Sequence, residues 1–119
     1  KWFWPTQGRV VKSNSPTSKK GIDISGSFGQ TIKAASSGEI VYSGSGLVGY
    51  GKLIIIKHND KFLSAYAYNS DLLVKEGDVV KAGQKISKMG QDHTGQNMLH
   101  FEIRLNGQPV NPLQHLSKK

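Results

Sequence analysis

An internal repeat constrains the fold of this chain more than any other feature of its sequence. Residues 29–34 and 38–44 read GQTIKA and GEIVYSG, and they are echoed by residues 77–82 and 83–90, which read GDVVKA and GQKISKMG. Each half has the pattern of a strand, a tight turn and a second strand, because glycine and polar residues separate short β-branched runs. The repeat therefore predicts a β-sandwich built from two related halves.

Strand patterns also dominate the rest of the chain, and helix patterns are nearly absent. Residues 39–43, 52–58 and 62–68 are rich in β-branched and aromatic residues. Turn-forming residues at 59–61 separate the last two runs, so a hairpin is expected there. The Asn-Pro pair at 111–112 can begin a short final helical turn, because proline at the first helical position lacks only an N–H that would be unbonded anyway. We expect an all-β fold with little helix.

The size and composition of the chain fit a single domain spanning residues 1–119. With 119 residues and no cysteine, the chain can bury a core without disulfides and has no thiol chemistry. It also lacks the run of about 18 apolar residues that a membrane-spanning helix needs. Because it begins at Lys1 with no signal-like apolar segment, we expect a C-terminal fragment of a longer protein whose export signal or lipid anchor lies upstream.

The charge of the chain favours an anionic partner. Sixteen basic and eight acidic residues give a formal net charge of +8, which favours a cell-wall polymer, a lipid headgroup or nucleic acid. Nucleic acid is the weakest of these, because no recognition helix, zinc-finger spacing or aromatic RNA-binding pattern accompanies the charge. The alternative interpretation is an ordinary solvated surface with no specific ligand.

Three short segments carry the residues most typical of a functional site. They are residues 19–24 (KKGIDI), 65–69 (AYAYN) and 98–104 (MLHFEIR). Alternate residues of a strand point to the same face, so we expect Met98 to share a face with His100, and Tyr66 with Tyr68. The purely structural interpretation is a strand-end carboxylate at Asp23, a hydrogen-bonded interior histidine and an ordinary strand tyrosine.

In the same order, these segments resemble the signature of the LytM-type, lysostaphin-like zinc peptidases, which cut peptidoglycan cross-links. Active members of that family read His-x-Gly-x-Asp, Tyr-Ala-His and His-x-His in the three segments. The resemblance extends from about residue 4 to residue 113 of this chain. It implies a two-sheet β-sandwich of the LytM/lysostaphin-like type, a duplicated hybrid motif.

Carried over position by position, the family's metal ligands fall at Lys19, Asp23 and His100, and its two catalytic histidines fall at Tyr68 and Met98. Only Asp23 and His100 remain usable as ligands, whereas a catalytic zinc site needs three protein ligands and an open position for water. Lys19 would place a positive charge where the metal binds, and it can instead be the counter-charge to Asp23. Tyr68 and Met98 cannot accept a proton near neutral pH as imidazole does. The resemblance therefore implies a degenerate peptidase homologue with no catalytic residue, no metal and no cofactor.

Local detail in residues 49–58, 81–84 and 99–104 is most similar to the NlpD/LppB-type outer-membrane lipoproteins. The resemblance implies a non-catalytic activator of a periplasmic N-acetylmuramoyl-L-alanine amidase, acting in septal peptidoglycan hydrolysis and daughter-cell separation. The expected partners are the amidase and, as a second candidate, peptidoglycan, with the membrane reached only through an upstream lipid anchor. The groove expected to bind the partner is formed by Lys19, Asp23, Tyr50, Tyr68, Met98 and His100.

Other functions remain open at this point. A zinc-dependent peptidoglycan endopeptidase would hold zinc and cleave the wall without a partner protein. A passive peptidoglycan-binding module would bind through its basic residues, and Trp2 and Trp4 would then stack on sugars, although packing of both rings onto the sandwich is favoured. The repeat also occurs in biotinyl and lipoyl carrier domains, which present a lysine at a hairpin tip, and only Lys88 beside Met89 offers a loose match.

Overall fold

The computed structural model describes residues 2–11 and 20–118, so Lys19 lies outside the described residues. Within these ranges no helix is long and apolar enough to cross a membrane. The elements are β1 (Val10–Val11), β2 (Ile22–Ser25), β3 (Thr31–Lys33), β4 (Gly38–Gly44), β5 (Lys52–Lys57), β6 (Phe62–Leu72), β7 (Val79–Val80), β8 (Lys85–Gln91), β9 (Asn97–Leu105), β10 (Gln108–Val110) and a short 3-10 helix (Pro112–Gln114).

The ten strands form one continuous antiparallel network of hydrogen bonds. Their order is β1-β2-β9-β8-β6-β5-β4-β7, with β3 paired to β8 and β10 paired to β9. The eleven-residue β6 joins the parts, because its first residues pair with β9 and its last residues pair with β8. The prediction of an all-β fold is confirmed, and the sheets predicted as two layers are connected by hydrogen bonds through β6.

The two halves of the repeat exchange strands. The first strand of the first half, β3, pairs with β8 of the second half, and β7 of the second half pairs with β4 of the first. Burial explains the exchange, because Ile32 and Ile86 on one pair, and Ile40 and Val80 on the other, are at most 1% exposed in the same core. Each half therefore supplies one strand to a pairing that the other half completes.

Most of the hydrophobic core lies on one face of the central strands. In β9, Leu99, Phe101 and Ile103 alternate toward this main core, so Met98 and His100 share the opposite face, as predicted. That opposite face carries a second apolar cluster, which consists of Leu53, Ala65, Ala67, Tyr68 and Met98. One face of β9 therefore packs in the main core, while the other face carries the residues of the predicted site.

The prediction that Tyr66 and Tyr68 share a face is wrong. Tyr66 is fully buried in the main core, where its hydroxyl accepts a hydrogen bond from the N–H of Ala35 at 2.9 Å and burial raises its pKa to about 12. Tyr68 belongs to the second apolar cluster. The backbone at Tyr68 has φ 67°, and the pairing of β5 with β6 slips by one residue there. This bulge inserts one residue and turns Tyr68 to the other face.

The local predictions at both turns are confirmed. In the β5–β6 hairpin, Asn59 accepts hydrogen bonds from the N–H groups of Lys61 and Phe62 at 2.8 and 2.9 Å. Asn111 caps the 3-10 helix by accepting from the N–H of Leu113 at 3.0 Å, with Pro112 at the first helical position. These contacts are the side-chain caps that asparagine commonly provides in turns.

The chain termini and β8 test two alternatives from the sequence analysis, the passive peptidoglycan-binding module and the carrier domain. Trp2 and Trp4 are partly buried against the main core, as expected, and the Trp4 Nε1 donates to the carbonyl of Ser117 at 2.6 Å. Lys88 lies within β8 and not at a hairpin tip, and its neighbour Met89 is fully buried. This placement does not fit the presented lysine of a carrier domain.

Close approach of β8 to the bulge requires a glycine at position 90. A Cβ at Gly90 would lie 2.5 Å from the Tyr68 carbonyl oxygen and 2.7 Å from the Ser70 nitrogen, both backbone atoms. We expect Gly90→Ala to lower the free energy of unfolding by about 1–3 kcal/mol, as overpacking does in other interiors. Urea denaturation measures the change. Gly46→Ala is the control, since its new methyl group meets only the Tyr42 hydroxyl, at 3.2 Å, and equal losses in the two variants would contradict this explanation.

Candidate functional site

The site is centred on a cross-strand pair between β2 and β9. Asp23 is the direct partner of His100 in this pairing, and both are buried, with exposures of 2% and 0%. The Nδ1 of His100 lies 2.7 Å from a carboxylate oxygen of Asp23. The antiparallel register, set by apolar neighbours that face the main core, brings these two polar side chains together.

Two residues that the sequence analysis did not assign to the site extend this pair. The Nε2 of His100 lies 2.8 Å from Glu102, and the other Glu102 oxygen accepts from the Nε and Nη2 of Arg104 at 2.8 and 2.7 Å. The hydroxyl of Tyr50 donates to Glu102 at 3.0 Å. Glu102 and Arg104 follow His100 at the alternate positions of one strand, and this spacing was the signal that could have identified them.

The charges of this buried cluster cancel when His100 is protonated. A carboxylate only accepts hydrogen bonds, so His100 satisfies both Asp23 and Glu102 only if both of its nitrogens carry protons. The cluster of Asp23, His100, Glu102 and Arg104 then contains two negative and two positive groups. Paired and hydrogen-bonded charges of this kind are tolerated in an interior, whereas a single unpaired charge is not.

Electrostatics of the cluster shift the pKa values of its members in opposite directions. Burial of His100 disfavours its charged form, but hydrogen bonds to Asp23 and Glu102 and their negative charges outweigh burial and raise its pKa above the ordinary value. Burial likewise opposes the charge of Glu102, but hydrogen bonds from His100 and Arg104 lower the Glu102 pKa overall. The pKa of the Tyr50 hydroxyl is raised, mainly by burial and then by the charge of Glu102.

Aromatic rings flank the charged cluster. The rings of Tyr50 and Tyr68 each lie 6.1 Å from the imidazole of His100, centroid to centroid, and both are tilted by 48° to it. Met98 packs in the same second apolar cluster as Tyr68. The structure thus brings together every predicted groove residue that it describes, which are Asp23, Tyr50, Tyr68, Met98 and His100.

An apolar cavity of about 350 Å³ lies beside the charged cluster. Glu102 and Arg104 form part of its wall, and its apolar lining consists of Leu47, Tyr50, Leu53, Ile55, Leu63 and Ala65. Of these lining residues, Leu47 is 45% exposed, and it marks the rim of the cavity. We call this cavity, together with Tyr50, Tyr68, Met98 and the charged cluster, the groove. Lys19, which the sequence analysis also assigned to the groove, lies outside the described residues. Its composition combines apolar area with a few fixed polar groups, as in sites that bind organic ligands or peptides.

The family profile of peptidase family M23 matches residues 17–112, which is most of the chain. The chain belongs to peptidase family M23. It is 54% identical over 120 residues to the murein hydrolase activator NlpD of Escherichia coli (strain K12), a match that covers 99% of this chain and 32% of the relative. It is 56% identical over 119 residues to the outer membrane antigenic lipoprotein B of Haemophilus influenzae, covering 98% and 29%. The chain therefore spans about a third of the length of these relatives.

A solved structure supports the same assignment. The fold of this M23 domain is similar to that of the antimicrobial peptidase lysostaphin from Staphylococcus simulans, with a TM-score of 0.79 and 30% sequence identity over 93% of this chain and 49% of that one. The predicted resemblance to LytM-type domains and to the NlpD/LppB lipoproteins is thereby confirmed, as is the LytM/lysostaphin-like fold.

In this M23 domain, His100 has the contacts of a hydrogen-bonded histidine. Both ring nitrogens of His100 face carboxylates, so the protonated ring has no lone pair for a metal. Met98 occupies the neighbouring position on the same face of β9 and offers only a thioether. Within residues 2–11 and 20–118, no group of three or more His, Cys, Asp or Glu side chains is arranged to hold a metal ion.

The pKa values of His100 and His58 should be shifted in opposite directions from the ordinary value of histidine. We expect the imidazole of His100 to stay protonated to a higher pH than that of His58, because burial lowers the His58 pKa more than its hydrogen bond to the Ser37 carbonyl raises it. NMR titration of the ring protons measures both in one sample. Glu102→Gln should lower the His100 pKa, whereas Glu39→Gln, at an exposed position of β4, should leave it unchanged. A lower pKa for His100 than for His58 would contradict the arrangement.

The same shifts predict how stability depends on pH. The His100 pKa is raised in the folded state, so the stability from this group is complete below its ordinary value of 6.5 and is lost as pH rises through the folded pKa. The Glu102 pKa is lowered, so its contribution is complete above the ordinary value of 4.5 and is lost as pH falls through the folded pKa. Urea denaturation at a series of pH values should show that the cluster contributes most to the free energy of unfolding between pH 4.5 and 6.5. A contribution that increases steadily from about pH 6.5 to 9 would contradict these shifts.

Proposed function

We propose that this M23 domain is a non-catalytic activator of a periplasmic N-acetylmuramoyl-L-alanine amidase, and that it promotes septal peptidoglycan hydrolysis and daughter-cell separation. One observation carries the proposal: an apolar cavity lies beside a cluster in which both nitrogens of His100 contact the carboxylates of Asp23 and Glu102. The name of the Escherichia coli relative, a murein hydrolase activator, supports the same class of function.

The groove is better suited to binding a protein segment than to catalysing a reaction. Its charges are paired internally, so a partner does not have to neutralise a buried ion in order to bind. Its apolar lining and the exposed Leu47 at the rim offer area that a partner can remove from water. Tyr50 adds a large ring whose hydroxyl is already held by Glu102, which reduces the conformational entropy lost on binding. We infer that an apolar segment of the amidase binds here.

Activation then follows from binding alone. If the amidase exchanges between a self-inhibited state and an open state, the domain needs only to bind the open state more tightly. A shift from 1:99 to 99:1 in favour of the open state requires a preference of about 5.5 kcal/mol. Burial of several apolar side chains in the groove can supply a preference of this order, at about 1.5–3 kcal/mol for each fully buried side chain.

The setting of the domain in the cell is part of the proposal. We propose that residues 1–119 act as one domain at the C-terminal end of a longer outer-membrane lipoprotein, which faces the periplasm through an upstream lipid anchor. The Haemophilus influenzae relative is named an outer membrane lipoprotein, which supports this placement. Such an anchor would hold the domain a short distance from the membrane, and therefore near the peptidoglycan on which the amidase acts.

Release of soluble product from dye-labelled peptidoglycan tests the function directly. We expect release by a mixture of the amidase and this domain, and little release by either protein separately, because the domain supplies the activating contact and the amidase supplies the chemistry. Zinc content measured on the same preparation serves as the control for an unrecognised metal site. Chelator-sensitive release by the domain without the amidase would overturn the proposal in favour of a zinc endopeptidase.

Substitution at the rim of the groove tests the binding surface. We expect Leu47→Asp to reduce amidase activation by about tenfold or more, because it places a charge on apolar surface that the partner would bury. Leu73→Asp is the matched control, because Leu73 is 41% exposed against 45% for Leu47 and does not line the groove. Circular dichroism should show an unchanged fold in both variants. Equal activation by the two variants would mean that the amidase binds elsewhere.

A further inference from the structure

A second cavity, on a different part of the molecule, has no role in the groove. It measures about 430 Å³ and is lined by Trp4, Thr6, Gln7, Gln30, Thr31 and Lys33. We call it the N-terminal pocket. It shares no lining residue with the groove cavity. Its β3 residues flank Ile32, which is fully buried in the main core, so Thr31 and Lys33 face away from that core.

Hydrogen bonds hold the walls of the N-terminal pocket in place. The Nε2 of Gln30 donates to the Thr6 hydroxyl at 2.8 Å and to the Gln7 carbonyl at 2.6 Å. The N–H of Lys33 donates to the carbonyl of Pro5 at 2.8 Å, which fixes the N-terminal segment along β3. The Trp4 ring is anchored by its Nε1 on the Ser117 carbonyl. A preorganised aromatic wall among amide and hydroxyl groups is suited to a ligand with both an apolar face and many polar groups.

Two lysines stand directly opposite each other beside this pocket. The β3–β8 pairing slips by one residue between Ile32 and Lys33, and this slip sets Lys33 against Lys85 instead of the buried Ile86. Both lysines are exposed, and neither forms an ion pair with any residue in the described ranges. Like charges directly opposite in a sheet are unfavourable. An anion bound between them would remove that repulsion.

We propose that the N-terminal pocket and the Lys33–Lys85 pair bind a glycan strand that carries free carboxylates, with Trp4 packed on a sugar ring. The inference rests on the proposed function for the identity of the glycan. Hydrolysis of the amide between a muramyl lactyl group and its peptide consumes one water and leaves a carboxylate on the sugar and an ammonium on the peptide. The strand that the amidase produces therefore combines pyranose rings with regularly spaced anions, which are the two features that the pocket and the lysine pair match.

Binding of three probes to the chain, measured by isothermal titration calorimetry at fixed ionic strength, tests the inference. The first probe is a peptide-free strand of alternating N-acetylglucosamine and N-acetylmuramic acid, the second is neutral chitohexaose, and the third is poly-L-glutamate. We expect the first to bind about tenfold or more tightly than either of the others, because only it supplies both stacking and charge-assisted contacts. Equal binding of poly-L-glutamate would reduce the site to general anion binding, and equal binding of chitohexaose would remove the role of the lysines.

Two matched double variants locate the site. Lys33→Gln with Lys85→Gln should weaken binding of the peptide-free strand by about tenfold. Lys57→Gln with Lys75→Gln makes the same change in net charge at two exposed positions outside the pocket, and it should leave binding within about twofold, since long-range charge contributes little at physiological salt. Trp4→Leu should weaken binding of the peptide-free strand and of chitohexaose to the same extent. Equal losses in both lysine variants would overturn the inference.

The groove variant separates this inference from the proposed function. Leu47→Asp should lose amidase activation and retain binding of the peptide-free strand, because Leu47 does not line the N-terminal pocket. If the unaltered chain activates the amidase but does not bind the strand, the glycan site is wrong and the activator function stands. If the chain binds the strand but does not activate the amidase, the activator function fails and the pocket binds a glycan from another reaction.

Discussion

The structure of the groove depends on how four charged side chains are buried together. Asp23, His100 and Glu102 are each at most 2% exposed, and Arg104 completes the balance from the edge. Removal of His100 would take a charged partner from both Asp23 and Glu102, and breaking a buried ion pair in this way is strongly destabilising. The apolar side chains of β2 and β9 set the register, and the cluster adds polar contacts between these strands and a hydrogen bond that holds Tyr50.

The two buried carboxylates of the cluster need a source of positive charge, because a buried charge without a partner is unstable. In this chain the imidazolium of His100 and the guanidinium of Arg104 supply it. The consequence is a groove whose electrostatics are settled within the domain, so its outer surface is available to a partner.

Much of the fold followed from the sequence because it is governed by local periodicity. The alternation in β9, the asparagine turn between β5 and β6 and the cap at Asn111 are all short-range patterns, and all three are confirmed. Tyr66 was predicted to share a face with Tyr68, and this prediction is wrong because a bulge at Tyr68 interrupts the alternation. The close approach of Gly90 to this bulge comes from another strand, so no local pattern indicates it. The exchange of strands between the repeat halves is equally non-local. The sequence analysis did not assign Glu102 and Arg104 to the site, because the family resemblance concerns only the metal-ligand and catalytic positions. The structure shows that Glu102 contacts His100 and that Arg104 contacts Glu102.

The exchange of strands between the repeat halves also bears on how the chain reaches its folded state. The N-terminal half contains β3 and β4, but the strands that complete them come much later in the chain: β8 about 55 residues after β3, and β7 about 40 residues after β4. During synthesis the first half emerges with two unpaired edges and an uncovered apolar face, and it has no local partner for either. The sheet can close only when the second half is available, so neither half of the repeat can complete its strand pairing without the other.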